Sequence, residues 1–281
     1  MLQMVHQPDK VRVDLAGPSQ TMLATLYAKA LDAAAANPVV GDTYAQELVR
    51  RIDYDWRRTA ITATNKRTFS VTMRAAHFDE WARQFLAMHP QATVLHLGCG
   101  LDSRMLRLKP GPGVDWYDID YPDVIAVRER FYPPDGQYRL VAASVTDPGW
   151  LSTIPADRPV LLLAEGLTMY LTESAGIELL RRVVQRFPSG ELQFDAFNRL
   201  GIRLQKLNTV VRQSGSTLHW AVNDPRDIVG NVPGTRLLSA IAALDADTFA
   251  RAPHPYRLLA RLISPSSYQD ARWASRGRPT R

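Results

Sequence analysis

The stretch ATVLHLGCGLDSR, Ala92 to Arg104, constrains the fold more than any other part of the chain. Val94, Leu95 and Leu97, with Ala92 before them, form an apolar run of strand length. Gly98-Cys99-Gly100 breaks the run, and Leu101-Asp102-Ser103-Arg104 with Met105 opens a helical pattern. Strand, glycine turn and helix in that order belong to an α/β sheet, and glycines two apart let a ligand approach main-chain atoms with no Cβ in the way. Alone, G-x-G also describes an ordinary strand-to-helix turn, so the flanking chain has to decide.

Upstream, apolar residues at spacings of three and four predict a helix over Thr21–Ala36 that closes at Asn37-Pro38. A second helix is expected over Thr43–Ile52. A third is expected over Phe69–Met88, with Met73, His77, Trp81 and Phe85 on one face. Downstream, strand candidates Val114–Ile119, Tyr138–Ala142, Val160–Ala164 and Leu192–Phe197 alternate with helices at Asp102, Pro122, Pro148, Thr172 and Asn198. Such alternation implies right-handed crossovers and a parallel sheet, which binds ligands outside the carboxyl ends of its strands. Beyond Arg199 the pattern predicts a helix over Gly201–Val211, a late strand over Gly234–Ala240, a helix over Leu258–Ile263 and an antiparallel edge strand over Tyr268–Ser275. One domain is expected: residues 1–90 a helical cap, 91–200 the ligand-binding core, 201–281 a lid that also completes the sheet.

Composition excludes several classes. With 281 residues, 46% hydrophobic and 22% charged, the chain is that of a globular enzyme. Its net charge of +6 partly reflects Arg272–Arg281, which is expected to be a frayed, solvated tail; no nucleic-acid partner is implied. Cys99 is the sole cysteine, so no intramolecular disulfide or zinc framework exists and a cytoplasmic setting is expected. No apolar run approaches the roughly 20 residues that span a bilayer, and no metal is expected.

A dinucleotide fingerprint would place a third glycine at position 103, where this chain has Ser103. Asp102 stands where the new helix begins, and a carboxylate capping that helix would occupy the spot a diphosphate needs. S-adenosylmethionine carries no phosphate, and its sulfonium and ammonium groups are cationic, so acids at the strand ends suit it. Asp120 follows Gly100 by about 20 residues, the usual interval for a ribose-binding carboxylate. Asp118 shares its face, and spacing alone does not separate the two. Glu165 directly follows the apolar run Leu161–Ala164, where a carboxylate needs a cationic partner.

VLHLGCGLDSRMLRL, WYDIDYPDVI and LLLAEGLTMYL resemble the G-x-G-L-D-x-R, Y-E-V-D-x-P and A-E-G-x-x-x-Y-L segments of the leucine carboxyl methyltransferase family, and most of all its bacterial polyketide-type O-methyltransferase branch. LYAKALDAAAANPVVGD, IDYDW, TMRAAHFDEW and FPSGELQFDAFNRLGIR extend the resemblance over roughly Leu15 to Asp224. It implies a Rossmann-like class I methyltransferase sheet, mostly parallel with an antiparallel C-terminal edge, a helical N-terminal cap and a C-terminal lid. It implies S-adenosylmethionine as cofactor and S-adenosylhomocysteine as product. Among cofactor residues it implies Arg74 on the methionine carboxylate with help from Lys29, Gly98, Cys99 and Gly100 at the turn, Asp120 with Tyr121 at the ribose, and Glu165 with Gly166 at the amino end. The chain departs from the family at Ser144-Val145, where an Asp-Leu pair often contacts adenine; here Ser144 is expected to offer a hydroxyl to the adenine amino group and Val145 an apolar face.

The implied reaction is methyl transfer to a carboxylate or hydroxyl of a small molecule in secondary metabolism. The alternatives are a peptide or protein C-terminal carboxylate as acceptor, and a non-catalytic cofactor-binding protein. A carboxylate is ionised at neutral pH and needs no base, whereas a hydroxyl invites one. Tyr170 and His77 are the candidate catalytic residues, and Tyr170, Asn198, His219 and Trp220 are expected to line the acceptor.

Overall fold

The computed structural model describes residues 10–13, 21–59, 61, 66–207, 211–212, 215–242 and 268–276. A two-residue strand β1 (Val11–Arg12) precedes helices α1 (Thr21–Ala33) and α2 (Thr43–Arg51). β2 (Ile52–Asp53) pairs with β1 in parallel, and the long helix α3 (Lys66–Met88) follows. The break between α1 and α2 is held by the Asp32 carboxylate, which accepts the N–H groups of Val39, Val40 and Gly41 at 2.8, 2.9 and 3.0 Å. Asp42 caps α2 by accepting Ala45 N–H at 3.1 Å.

The central sheet then runs β3 (Ala92–Leu97), α4 (Arg104–Leu108), β4 (Val114–Asp120), α5 (Pro122–Glu129), β5 (Tyr138–Ala142), α6 (Gly149–Ser152), β6 (Val160–Ala164), α7 (Glu173–Arg186), β7 (Ser189–Phe197) and α8 (Arg199–Arg203). A six-residue helix, Arg226–Asn231, leads to β8 (Thr235–Ala242), and β9 (Tyr268–Arg276) closes the described chain. The strand order is β5-β4-β3-β6-β7-β9-β8, parallel through β7, with β9 antiparallel to β7 and β8 antiparallel to β9. Every residue of β3 and β6 is buried, as central parallel strands covered on both faces require. Leu162, Phe194 and Trp273 pack with α7 on one face, whereas Val94, Leu161 and Leu163 pack with α1, α2 and α3 on the other.

Three expectations need correction. The strand over Tyr268–Ser275 is antiparallel but lies inside the sheet, and β8 is the edge. Arg272 and Arg276 belong to that strand and not to a frayed tail; residues 277–281 lie outside the described residues, as does the helix expected over Leu258–Ile263. The helix expected over Gly201–Val211 is broken: α8 ends at Arg203 and a 3-10 turn covers Gln205–Leu207, residues 208–210 lie outside the described residues, and Val211 is again helical. Trp220, expected to line the acceptor, is 3% exposed, stacks on Phe194 with centroids 6.1 Å apart, and lies against Gly176 of α7. A Cβ on Gly176 would fall inside the Trp220 ring. Gly176→Ala is therefore expected to destabilise the protein by about 1–3 kcal/mol, the usual range for overpacking, with urea unfolding as the measurement.

Candidate active site

The turn after β3 is built as its glycines suggest. Gly98 and Gly100 hold left-handed φ values of 62° and 49°, and Cβ atoms there would stand 3.1 Å from Leu167 Cδ1 and 3.0 Å from Met22 Cβ. Cys99 between them is buried, and burial pushes its thiol well up, which suits a small residue filling a tight turn and not a nucleophile. Asp102 does not cap α4. It accepts Lys29 Nζ at 2.8 Å and Arg107 Nη1 at 2.6 Å and lies 3.5 Å from Arg104. Its charge is neutralised within the protein, so the objection to a diphosphate is not a bare carboxylate. The helix start is instead filled by an ionic network in which Arg107 also binds Asp79 and Asp42.

The two acids of β4, equivalent in the sequence, differ in what they bind. Asp118 is fully buried and receives four donors: His96 Nδ1 at 2.8 Å and Trp116 Nε1 at 2.9 Å on Oδ1, Tyr138 Oη at 2.8 Å and Arg128 on Oδ2. Burial pushes its carboxyl up, but Arg128 and His96 outweigh this and hold it at about 2. A carboxylate has about four acceptor positions, and Asp118 has none left. Asp120, at the strand end and partly exposed, takes only Gly100 N–H and Tyr121 N–H, each at 2.8 Å. It retains capacity for two more donors beside the glycine turn. Arg128, which no motif singled out, ties these parts together by donating at 2.8 Å to the carbonyls of both Gly100 and Asp102.

At the end of β6, Glu165 is clasped by two arginines: Arg74 Nε of α3 at 2.9 Å and Arg104 Nη2 of α4. Burial works to raise its carboxyl, but Lys29, Arg104 and Arg74 hold it well below the usual range. Arg74 also reaches Asp195 at 3.1 Å and Tyr268 Oη at 2.8 Å through Nη1. Its Nη2 faces Gly166, where a Cβ would stand 3.4 Å away.

The remaining expected residues are scattered more widely. Lys29 is 4% exposed and bound to Asp102. Tyr121 is half exposed. Ser144 and Val145 follow β5, with Ser144 Oγ 2.8 Å from Thr146 Oγ1 and Val145 buried. Asn198 caps α8 by accepting Gly201 N–H at 2.9 Å. His219 is exposed, and its N–H donates to the Met169 carbonyl at 2.8 Å.

His77 is buried with Nδ1 2.9 Å from Asp270. α3 and β9 descend from the site side by side: Tyr268 meets Arg74, Asp270 meets His77, and Arg272 meets Gln84. His77 thus lies about one turn deeper than Arg74, away from the strand ends. Tyr170, half-buried, gathers with Phe197, Ile202 and Tyr268 around Met169, Val211 and Leu218.

Comparison with known proteins shows the family. The model of the leucine carboxyl methyltransferase family matches residues 21–184, more than half of the chain. The chain belongs to the leucine carboxyl methyltransferase family. As a member it is an S-adenosylmethionine-dependent methyltransferase. It is 46% identical over 240 residues to the tetracenomycin polyketide synthesis O-methyltransferase TcmP of Streptomyces glaucescens, covering 85% of this chain and 88% of that one. It is 40% identical over 247 residues to the S-adenosyl-L-methionine-dependent methyltransferase dpfgK of Gibberella zeae, covering 81% and 83%. Among solved structures, a candidate methyltransferase from Thermobifida fusca shares the fold at a TM-score of 0.60 and 13% identity over 97% of both chains.

The residues fit the cofactor. The two left-handed glycines leave backbone with no room for side chains, Asp120 keeps acceptor positions for hydroxyls, and Arg74 and Glu165 offer opposite charges for the two ends of an amino acid.

Proposed function

We propose that this methyltransferase esterifies a carboxylate of a small, polyketide-type molecule. The observation that carries the reading is the state of the two candidate proton acceptors. Burial raises the Tyr170 hydroxyl above its ordinary range, with Arg74 only partly opposing, so Tyr170 stays protonated and serves as a donor. His77 lies beneath Arg74 with Nδ1 on Asp270. A carboxylate acceptor is already ionised and asks for neither to act as a base.

The bound cofactor supplies the methyl group on its sulfonium. The chain's part is alignment. In this reading Arg74 holds the methionine carboxylate, Glu165 and Gly166 meet the amino end, Asp120 receives the ribose hydroxyls, and Ser144 and Val145 flank the adenine. Lys29 sets Asp102 beneath the glycine turn. Tyr170 donates to an acceptor oxygen, and the half-buried Phe197 and Ile202 support an apolar acceptor beside it. The neutral hydroxyl of Tyr170 suits an anionic acceptor. The three parts of the chain, residues 1–90, 91–200 and 201–281, serve as cap, cofactor core and lid of one catalytic unit. No described helix is long and apolar enough to cross a membrane. The single cysteine is in keeping with a cytoplasmic setting.

The test is a mass-spectrometric screen of paired aromatic acids and phenols for the gain of one methylene. Acids are expected to be methylated and their matched phenols not. His77→Gln should leave turnover on an acid within about threefold, because no proton has to be removed. Methylation of phenols alone, with His77→Gln abolishing it in a folded protein, would overturn the carboxylate reading.

A further inference from the structure

Glu191, Gln193 and Asp195 of β7 alternate with Leu192, Phe194 and Ala196, a pattern that normally marks a solvated face. Here all three are buried beneath α3, and Asp270 of β9 is buried with them. Asp195 is fully enclosed and makes three contacts. Oδ2 accepts Arg74 Nη1 at 3.1 Å, Oδ1 accepts Gly166 N–H at 2.7 Å, and Tyr268 Oη donates to Oδ2 while accepting Arg74 Nη1 at 2.8 Å. One carboxylate therefore joins the helix that carries Arg74 to the turn that carries Glu165 and Gly166. Its backbone carbonyl also accepts the Thr168 hydroxyl, which fixes the next part of the same turn.

Resting on the cofactor reading above, we propose that Asp195, with Tyr268, is the positioning residue for the amino-acid end of the cofactor, holding Arg74 and the Glu165–Gly166 turn in one geometry.

The arrangement is costly, which argues that it is not kept for stability. Asp195 and Asp270 stand directly opposite each other in the antiparallel register, and like charges so placed repel. The groups facing them on α3 are the Arg74 guanidinium and the His77 ring, and Arg74 is shared with Glu165, whose second arginine, Arg104, also serves Asp79. Burial pushes the Asp195 carboxyl up to about 7 against the pull of Arg74, and it raises Asp270 as well, whose Oδ1 has no hydrogen-bond partner among the described residues. A buried ionic group is weak evidence for stability. Its contacts here are aimed at the two elements that would meet a zwitterion.

The test compares two ligands that differ only at that end. S-adenosylhomocysteine carries the amino-acid group, and 5′-methylthioadenosine has the same thioadenosine without it. Calorimetric titration of Asp195→Asn is expected to show affinity for S-adenosylhomocysteine reduced about ten- to a hundredfold, the range for losing a buried charged contact, with methylthioadenosine within about twofold of wild type. Tyr268→Phe, which removes one hydroxyl, should give the same selectivity at about three- to tenfold, and it carries the test should Asp195→Asn fail to fold. Equal weakening of both ligands, or of neither, would overturn the proposal. A wild-type protein that binds neither ligand would overturn the cofactor reading and this inference with it.

Discussion

Glu165→Gln is expected to lower the melting temperature by on the order of 10 °C. Glu165 is the counter-ion of both Arg74 and Arg104, whose side chains are 15% and 0% exposed. Glutamine keeps the volume but leaves two buried guanidinium groups without their shared anion. Breaking a buried ion pair from one side costs about 3–5 kcal/mol, and in a protein of this size each kcal/mol moves the midpoint by roughly 2–4 °C. The effect should depend on pH in a defined direction. The folded-state carboxyl lies below its ordinary range, so the folded protein binds fewer protons than the unfolded one. Its contribution is fully present above the unfolded value of about 4.3 and is lost as pH falls below that. Calorimetric scans should show the gap between wild type and variant at pH 7 narrowing as the buffer is made acidic. An unchanged midpoint at pH 7 would mean that the arginines find other partners.

The second large effect separates the acids of β4. Asp120→Asn is expected to weaken S-adenosylhomocysteine binding about a hundredfold, since the substituted amide loses charge and half its acceptor positions while facing two N–H donors already bound. Stability should change little, because Asp120 is partly exposed and burial already raises its carboxyl. Asp118→Asn should do the reverse. Its carboxylate meets four donors, and with the folded value at about 2 it contributes ~2–3 kcal/mol above pH 4 that disappears as pH falls toward 2. Asp118→Asn should therefore unfold at lower denaturant concentration and, once folded, bind the cofactor product with near-native affinity. Exchange of these two phenotypes would assign the ribose to Asp118.

How far the sequence could be read follows from which signals are local. The glycine turn, the strands β3 to β7 and the helices between them are set by apolar periodicity and chain breakers within a few residues, and they lie close to where those signals put them. Glu165 was legible because a carboxylate directly after four buried aliphatic residues requires a partner. Its partners were legible only in part. Arg74 came from a resemblance, whereas Arg104, like the Arg128 that serves Asp118, sits at a position that the apolar period of its helix assigns to the core. A charged residue at a core position signals a buried pair, although it does not name the other half. What covers the polar face of β7 was not legible, for the opposite reason. Period-two polarity reports only that one face is polar, and whether water or another helix covers it is a tertiary fact. The same holds for Trp220, an aromatic residue in a polar turn that packs against the gap left by Gly176.

The insertion of β9 between β7 and β8 bears on local opening. Among the described residues β8 is joined to the sheet through β9, so β9 cannot leave β7 without taking β8 out of the sheet, and that detachment withdraws Tyr268 from Arg74 and Asp270 from His77 at the same moment. Exchange of the β9 amides that bond to β7 should then slow when the amino-acid end is occupied, because a ligand held by Arg74 stabilises the form in which β9 is docked.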